Sequence, residues 1–358
     1  MGLTNFPNGI TSFGVPVLGG IGGLPFTGNW WFVDPVNGLD GNAGTRPSQA
    51  LQTLYQAHNK AVAGNNDVVV LIGNGASSGT ARLSLANAQS ITPAATAGTL
   101  NWSKNATHLI GIAAPNVAAP RARMAPPATY SALTFSGTAA TVSFNMVNVT
   151  AAGCLFANFE AFCGFSTDGL TTGGGICWRE NGGRNTYVGV SFSGMGDATM
   201  AAIALSRSLV INGTGENYFQ GCTIGLDTVL RATNANASLE FTGGTPRNRF
   251  VDCDFPMYVS DVADTAIYAG TGGIDRVTRF DNCRVLNTTG SGSSSLTGAI
   301  QMAATGGGPN GNIFWNKSSA VGVTHLCYDA TTAAQVYVDG GAPTNSTSGQ
   351  AVISTDHP

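Results

Sequence analysis

Phe219-Gln220-Gly221-Cys222-Thr223-Ile224, Phe250-Val251-Asp252-Cys253-Asp254-Phe255 and Phe280-Asp281-Asn282-Cys283-Arg284-Val285 repeat one pattern. Phe156-Ala157-Asn158-Phe159-Glu160-Ala161 and Tyr187-Val188-Gly189-Val190-Ser191-Phe192 are earlier copies, and Phe314-Trp315-Asn316 reads as a sixth, decayed one. The copies recur every 30 to 34 residues. Asn185, Asn217, Asn248 and Asn312 stand two positions before the aromatic. A fixed period of this size marks a solenoid, with one coil per repeat. The third position holds only Asn, Gly or Asp, which tolerate a left-handed backbone, so it predicts a sharp bend. The aromatic points inward on one strand, and the fourth and sixth positions alternate inward on the next. Stacked coils then build columns. Phe219, Phe250 and Phe280 form an aromatic column, Cys222, Cys253 and Cys283 a thiol column, and Asp252 and Asn282 fall at bends.

This register resembles that of right-handed parallel β-helix proteins, in which an asparagine ladder at a tight bend is a familiar device. The resemblance covers roughly residues 100 to 340. The expected fold is all-β: a single-stranded right-handed parallel β-helix with an N-terminal capping helix and an extended N-terminal arm. Roughly eight coils stacked at about 4.8 Å give a column of roughly 35–40 Å. Asn105 to Ile112 fits the pattern with Leu109 and Ile112 inward and Gly111 at the turn. Further short strands are expected at Ile176-Cys177-Trp178, Ile203-Ala204-Leu205, Val229-Leu230, Ile267-Tyr268 and Ile300-Gln301-Met302. Their uneven spacing predicts corner loops of different length.

Four segments follow. Residues 1–29 are an apolar arm, 30–99 a cap, 100–340 the β-helix, and 341–358 a closing segment or tail. Within the cap, Trp30 to Val33 and Val68 to Ile72 read as strands. Pro47, whose missing N–H is harmless at a helix start, opens a helix over 47–63. Its apolar face carries Leu51, Leu54, Tyr55, His58, Ala61 and Val62. A solenoid end exposes unpaired edge groups, which a cap covers.

Charged residues make up only 10% of the 358, and the net charge is −3. No broad basic field for nucleic acid or an anionic membrane is implied. Low charge fits a surface of hydroxyls and amides, and also fits packing against sister chains as a homotrimer. Three of the seven cysteines lie in one inward column, so reduced core thiols are expected rather than a disulfide framework. No spacing matches a zinc site, and no cofactor is expected. Asp34, Asp40 and Asn42 read as an Asx-rich turn, with oxygen ligation of Ca²⁺ as the alternative.

Catalysis by paired carboxyls would need them about 5–9.5 Å apart. Asp252 is assigned to a bend and Asp254 to an outward column beside Arg284, where a surface ion pair explains both. Asp261/Asp264 and Glu180/Arg179 show no identifiable partners. The Asn-Thr-Asp, Asp-Asp, Gly-His-Gly and Arg-Ile-Lys motifs of polygalacturonases are absent, as are the clustered Ca²⁺ ligands of pectate lyases. The expectation is no enzyme, with a polysaccharide hydrolase or lyase as the alternative.

The first charged side chain is Asp34. The stretch before it lacks a basic start and an unbroken apolar core, so neither a secretory signal nor a membrane span is expected. An uncharged arm either folds back on its own solenoid or docks on another chain through Phe6, Pro7, Ile10, Phe13, Val15, Pro16, Val17 and Leu18. Thr4-Asn5-Phe6-Pro7-Asn8-Gly9-Ile10-Thr11-Ser12-Phe13-Gly14-Val15-Pro16-Val17 resembles the start of virion-associated proteins of tailed bacteriophages. That resemblance implies a virion structural protein, made in the host cytoplasm and carried on the particle. The expected role is a trimeric capsid decoration or head spike docked on the major capsid protein or another virion protein. The alternative is a tailspike or tail fibre that binds or depolymerises host surface polysaccharide, with Trp178 or Trp315 stacking on sugars.

Overall fold

The computed structural model describes residues 28–73, 100–113, 122–125, 144–164, 175–232, 236–288, 290, 292–303, 311–329, 332 and 335–339. It also places Thr11–Ser12 and Val15–Pro16 as a two-stranded antiparallel pair. The remaining arm positions Phe6, Pro7, Ile10, Phe13, Val17 and Leu18, and segment 341–358, lie outside the described residues.

The chain is a parallel β-solenoid with three long faces. Among the described residues one sheet has ten strands and the other two have eight each. A representative coil runs through Thr186–Val188 in the ten-stranded sheet, then Ser191–Ser193 in the second sheet. A corner loop carrying the short helix Ala198–Ala201 leads to Arg207–Asn212 in the third sheet. The chain then re-enters the ten-stranded sheet one level on, at Tyr218–Gln220.

The corner between the first two sheets is a single residue. Asn158, Gly189, Gly221, Asp252 and Asn282 occupy it with φ between 52° and 59°. Asn282 Nδ2 donates to Asp252 Oδ1 at 2.6 Å, so the bend residues also bond along the column. A Cβ added at Gly221 meets nothing within 4 Å, while its φ is 59°. Gly221→Ala therefore isolates the backbone cost. We expect a loss of about 1–2 kcal/mol in denaturant unfolding, with no change in the native spectrum.

Inside, rings stack like with like. Centroid separations are 4.9 Å for Phe156–Tyr187, 4.5 Å for Tyr187–Phe219, 4.5 Å for Phe219–Phe250 and 4.8 Å for Phe250–Phe280. All seven cysteines are buried and free. Burial raises the thiols of Cys154 to about 11 and of Cys327 to about 12, and buried thiols of this kind behave as small hydrophobes. The other turn is closed by an amide ladder. Asn185 Oδ1 accepts from Cys154 N at 2.8 Å, Asn217 Oδ1 from Asn185 N at 3.0 Å, and Asn248 Oδ1 from Asn217 N at 3.2 Å. Each buried amide thus satisfies a backbone N–H that the turn would orphan.

Five expectations shift. Trp30–Val33 and Val68–Ile72, read as cap strands, are the first two strands of the ten-stranded sheet. The helix over 47–63 is instead a 3-10 turn at Pro47–Gln49 and an α-helix at Leu54–Lys60. Leu51 bridges to Val33 as a strand would, and Thr53 caps the second helix by accepting from Gln56 N at 3.2 Å. The sixth copy is registered on Trp315, which pairs with Phe280, and Lys317 takes the bend with φ 48°. Asn312 is therefore off the amide ladder. Ile112 is 53% exposed, because His108–Ile112 runs straight on beside Val68–Ile72 rather than bending at Gly111. Ile203 to Leu205 is corner loop, with Leu205 54% exposed.

Candidate functional site

Most residues singled out for chemistry have structural partners. Asp252 is a bend residue, and Asp254 forms a two-pronged pair with Arg284 at 2.6 and 2.8 Å. Asp34 Oδ1 accepts from the N–H groups of Val36 and Asn37, and Asp40 ties the backbone of Gln52 and Thr53. Among the described residues no cluster of three metal-ligating side chains exists. His58 packs on Trp102 at 4.9 Å, and burial lowers its pKa to about 4. Glu180 is buried in the interior, bonded to Tyr187, Asn185 and the N–H groups of Gly182 and Gly183. Trp178 and Trp315 are 0% and 2% exposed, which removes them as sugar platforms.

The third sheet carries a different feature. Val210, Glu240, Tyr268 and Gln301 are register partners in four successive coils. Glu240, Tyr268 and Gln301 open onto a groove of about 320 Å³. Arg207 lies along its floor, and its Nε donates to Glu240 Oε2 at 2.6 Å. The guanidinium carbon stands 5.7 Å from the Tyr268 ring centre. The Arg207 side chain is 3% exposed and that of Glu240 22%, so the pair is fixed from below and reachable from one side. Asn236 closes one end, accepting from Ser206 N at 2.9 Å and donating to Ala201 O at 3.1 Å.

Behind the groove lies a second pair. Ala263 and Thr265 line it, and Asp264 between them turns inward to 0% exposure. Asp264 Oδ1 accepts from Asn236 N at 3.4 Å, while Oδ2 has no partner. Arg231, also buried, donates to Ser238 Oγ at 3.2 Å and leaves Nη1 without one. Burial pushes the Asp264 carboxyl up to about 7 against the pull of Arg231, and brings Arg231 down to about 10. Such a shift follows from burial, and occurs in structural charge networks as well as at functional sites. The groove thus combines a planar ring, a fixed carboxylate, a guanidinium and an amide on a rigid sheet. Such a set can stack on and hydrogen-bond a hydroxyl-rich ligand.

No family model matches the chain, and no curated protein matches it in sequence. Solved structures do match in fold. A pectin methylesterase mutant in complex with a hexasaccharide aligns with 89% of this chain and 92% of its own, at TM-score 0.51 and 14% identity. Pectin methylesterase PemA from Erwinia chrysanthemi covers the same shares at TM-score 0.50 and 13% identity. A rhamnogalacturonan lyase aligns with 82% of this chain and 68% of its own, at TM-score 0.51 and 12% identity. These likenesses place the chain among parallel β-helix proteins. They also correct the expectation that it is no enzyme. That expectation rested on missing motifs of two other β-helix families, whereas the structures sharing this fold are named for enzymes that process polysaccharides.

Proposed function

We propose that the protein engages a polysaccharide in the groove on its third sheet, as a β-helix of the polysaccharide-processing kind. The observation that carries this reading is the register column Glu240–Tyr268–Gln301 over the Arg207–Glu240 pair. Tyr268 offers a ring to a sugar face, and Glu240 and Gln301 offer hydroxyl partners. Arg207 fixes Glu240 so that the carboxylate is already oriented when a ligand arrives.

The test is titration calorimetry against bacterial surface polysaccharides, followed by sizing of the products. Tyr268→Ala and Glu240→Gln are each expected to weaken binding about threefold to tenfold, that is by about 0.7–1.4 kcal/mol. A glycan that shortens on incubation assigns chain cleavage, and one that binds at constant length assigns binding alone. Absence of binding to every glycan tried sinks the reading.

The stretch Thr4 to Val17 supports carriage of this site on a phage particle, as a tailspike or fibre whose apolar arm attaches it to another virion protein. The low charge supports a homotrimer. Light scattering checks the second point: a mass of three chains is expected, and a stable monomer at micromolar concentration removes it.

A further inference from the structure

Arg184, Glu216 and Arg247 occupy one position in successive coils, at the turn from the third sheet into the ten-stranded sheet. All three hold a left-handed backbone, with φ of 56°, 62° and 53°. Carried back along the register, the same position is Gly153, Ala106 and Asn66, also at positive φ. The turn therefore accepts Gly, Ala or Asn, and any side chain with a Cβ costs roughly 1–2 kcal/mol there. Three consecutive coils thus carry a charged side chain where the earlier coils carry Gly, Ala and Asn.

The surroundings agree. Glu216 bridges both arginines, with Arg184 Nε at 2.7 Å from Oε2 and Arg247 Nη2 on Oε1. Arg184, Glu216, Pro246, Arg247 and Arg276 bound a depression of about 350 Å³. Arg249 and Arg279 follow on the adjoining strands as register partners. Five of the chain's 16 lysines and arginines thus lie on one flank of a chain that is only 10% charged. Against Glu216, Asp275 and Asp281 they leave a formal excess of two positive charges, five minus three. Asp281, the carboxylate that pairs with Arg249, also bears on Arg279 electrostatically. Tyr218 and Phe314 continue the same outward row on either side of Arg249 and Arg279.

We propose that this flank binds an acidic polysaccharide. The guanidiniums of Arg249 and Arg279, one coil or about 4.8 Å apart, meet the carboxylates of successive sugar residues, Arg276 adds a third cation beside them, and Tyr218 and Phe314 meet ring faces. The proposal rests on the polysaccharide reading but uses a surface separate from the groove. A long run of nucleic-acid phosphates is disfavoured by the interleaved carboxylates and the net charge of −3.

The test compares polygalacturonate, neutral dextran and a single-stranded oligonucleotide on the full chain, across salt. Polygalacturonate is expected to bind tightest. Arg276→Ser/Arg279→Ser, both at exposed positions, is expected to weaken it at least tenfold and flatten the salt dependence. Arg46→Ser, remote from the flank, is expected to leave both unchanged. Unaltered binding by the double variant overturns the location. Dextran bound as well as polygalacturonate overturns the acidic class while the polysaccharide reading stands. No glycan bound overturns both, and tighter binding of the oligonucleotide replaces the glycan with nucleic acid.

Discussion

Phe250→Ala is expected to destabilise the protein by about 3–5 kcal/mol in equilibrium unfolding. Phe250 is fully buried between Phe219 and Phe280, at 4.5 and 4.8 Å and within 9° of parallel. Phe241 and Phe255 close its edges at 6.1 and 6.4 Å. In a bundle, neighbours relax into such a cavity. Here each neighbour is pinned by parallel strands above and below, so collapse is restricted and the cost falls at the high end. Phe250→Leu leaves a smaller void and is expected to cost less. Val321, 58% exposed, supplies the control: Val321→Ala is expected to stay within about 0.5 kcal/mol. Equal losses at the two sites would contradict the column as the source of stability.

Asp264→Asn is expected to remove a pH dependence. The folded carboxyl titrates near 7 because burial disfavours its charge, whereas an unfolded aspartate titrates near 3.9. The unfolded chain therefore releases this proton first. Wild-type stability is highest below about pH 4 with respect to this group, falls between about pH 4 and pH 7, and is level above. Three pH units correspond to about 4 kcal/mol. The histidines titrate as well, so the readout is the difference between wild type and variant in urea unfolding. That difference is expected to grow in favour of the variant, whose amide stays neutral, from about pH 4.5 to about pH 7.5. Arg231→Met removes the opposing cation and moves the window to higher pH. A difference that does not change with pH would show that Asp264 is not held protonated.

The fold was legible because its signal is periodic. Aromatic, bend and cysteine positions recur in phase from Phe156 to Cys283, and interior stacking requires that phase. Legibility failed where the phase was ambiguous. Phe314 and Trp315 are adjacent aromatics, and only strand pairing selects Trp315. Gly111 looked like a bend, but its strand continues beside an earlier one that the repeat does not contain. The groove was not legible at all. Glu240, Tyr268 and Gln301 lie about thirty residues apart, and corner loops of unequal length hide their common phase, while Arg207 stands at a different phase, opposite Ala237. Counting outward polar residues from the third-sheet strands would have aligned them. Asp264 was weighed only for a partner nearby in sequence, whereas the cation that bears on it electrostatically, Arg231, stands about thirty residues earlier.

The stacking direction has a mechanical consequence. Backbone hydrogen bonds between coils run along the column, while the covalent chain runs around it. Tension along the axis is carried by those weak bonds, and peeling removes one coil at a time from an end. Tension across the axis is carried by the peptide backbone, which does not yield. A polymer held on the flank and pulled sideways would therefore meet a stiff girder, and the same polymer pulled lengthwise a zip.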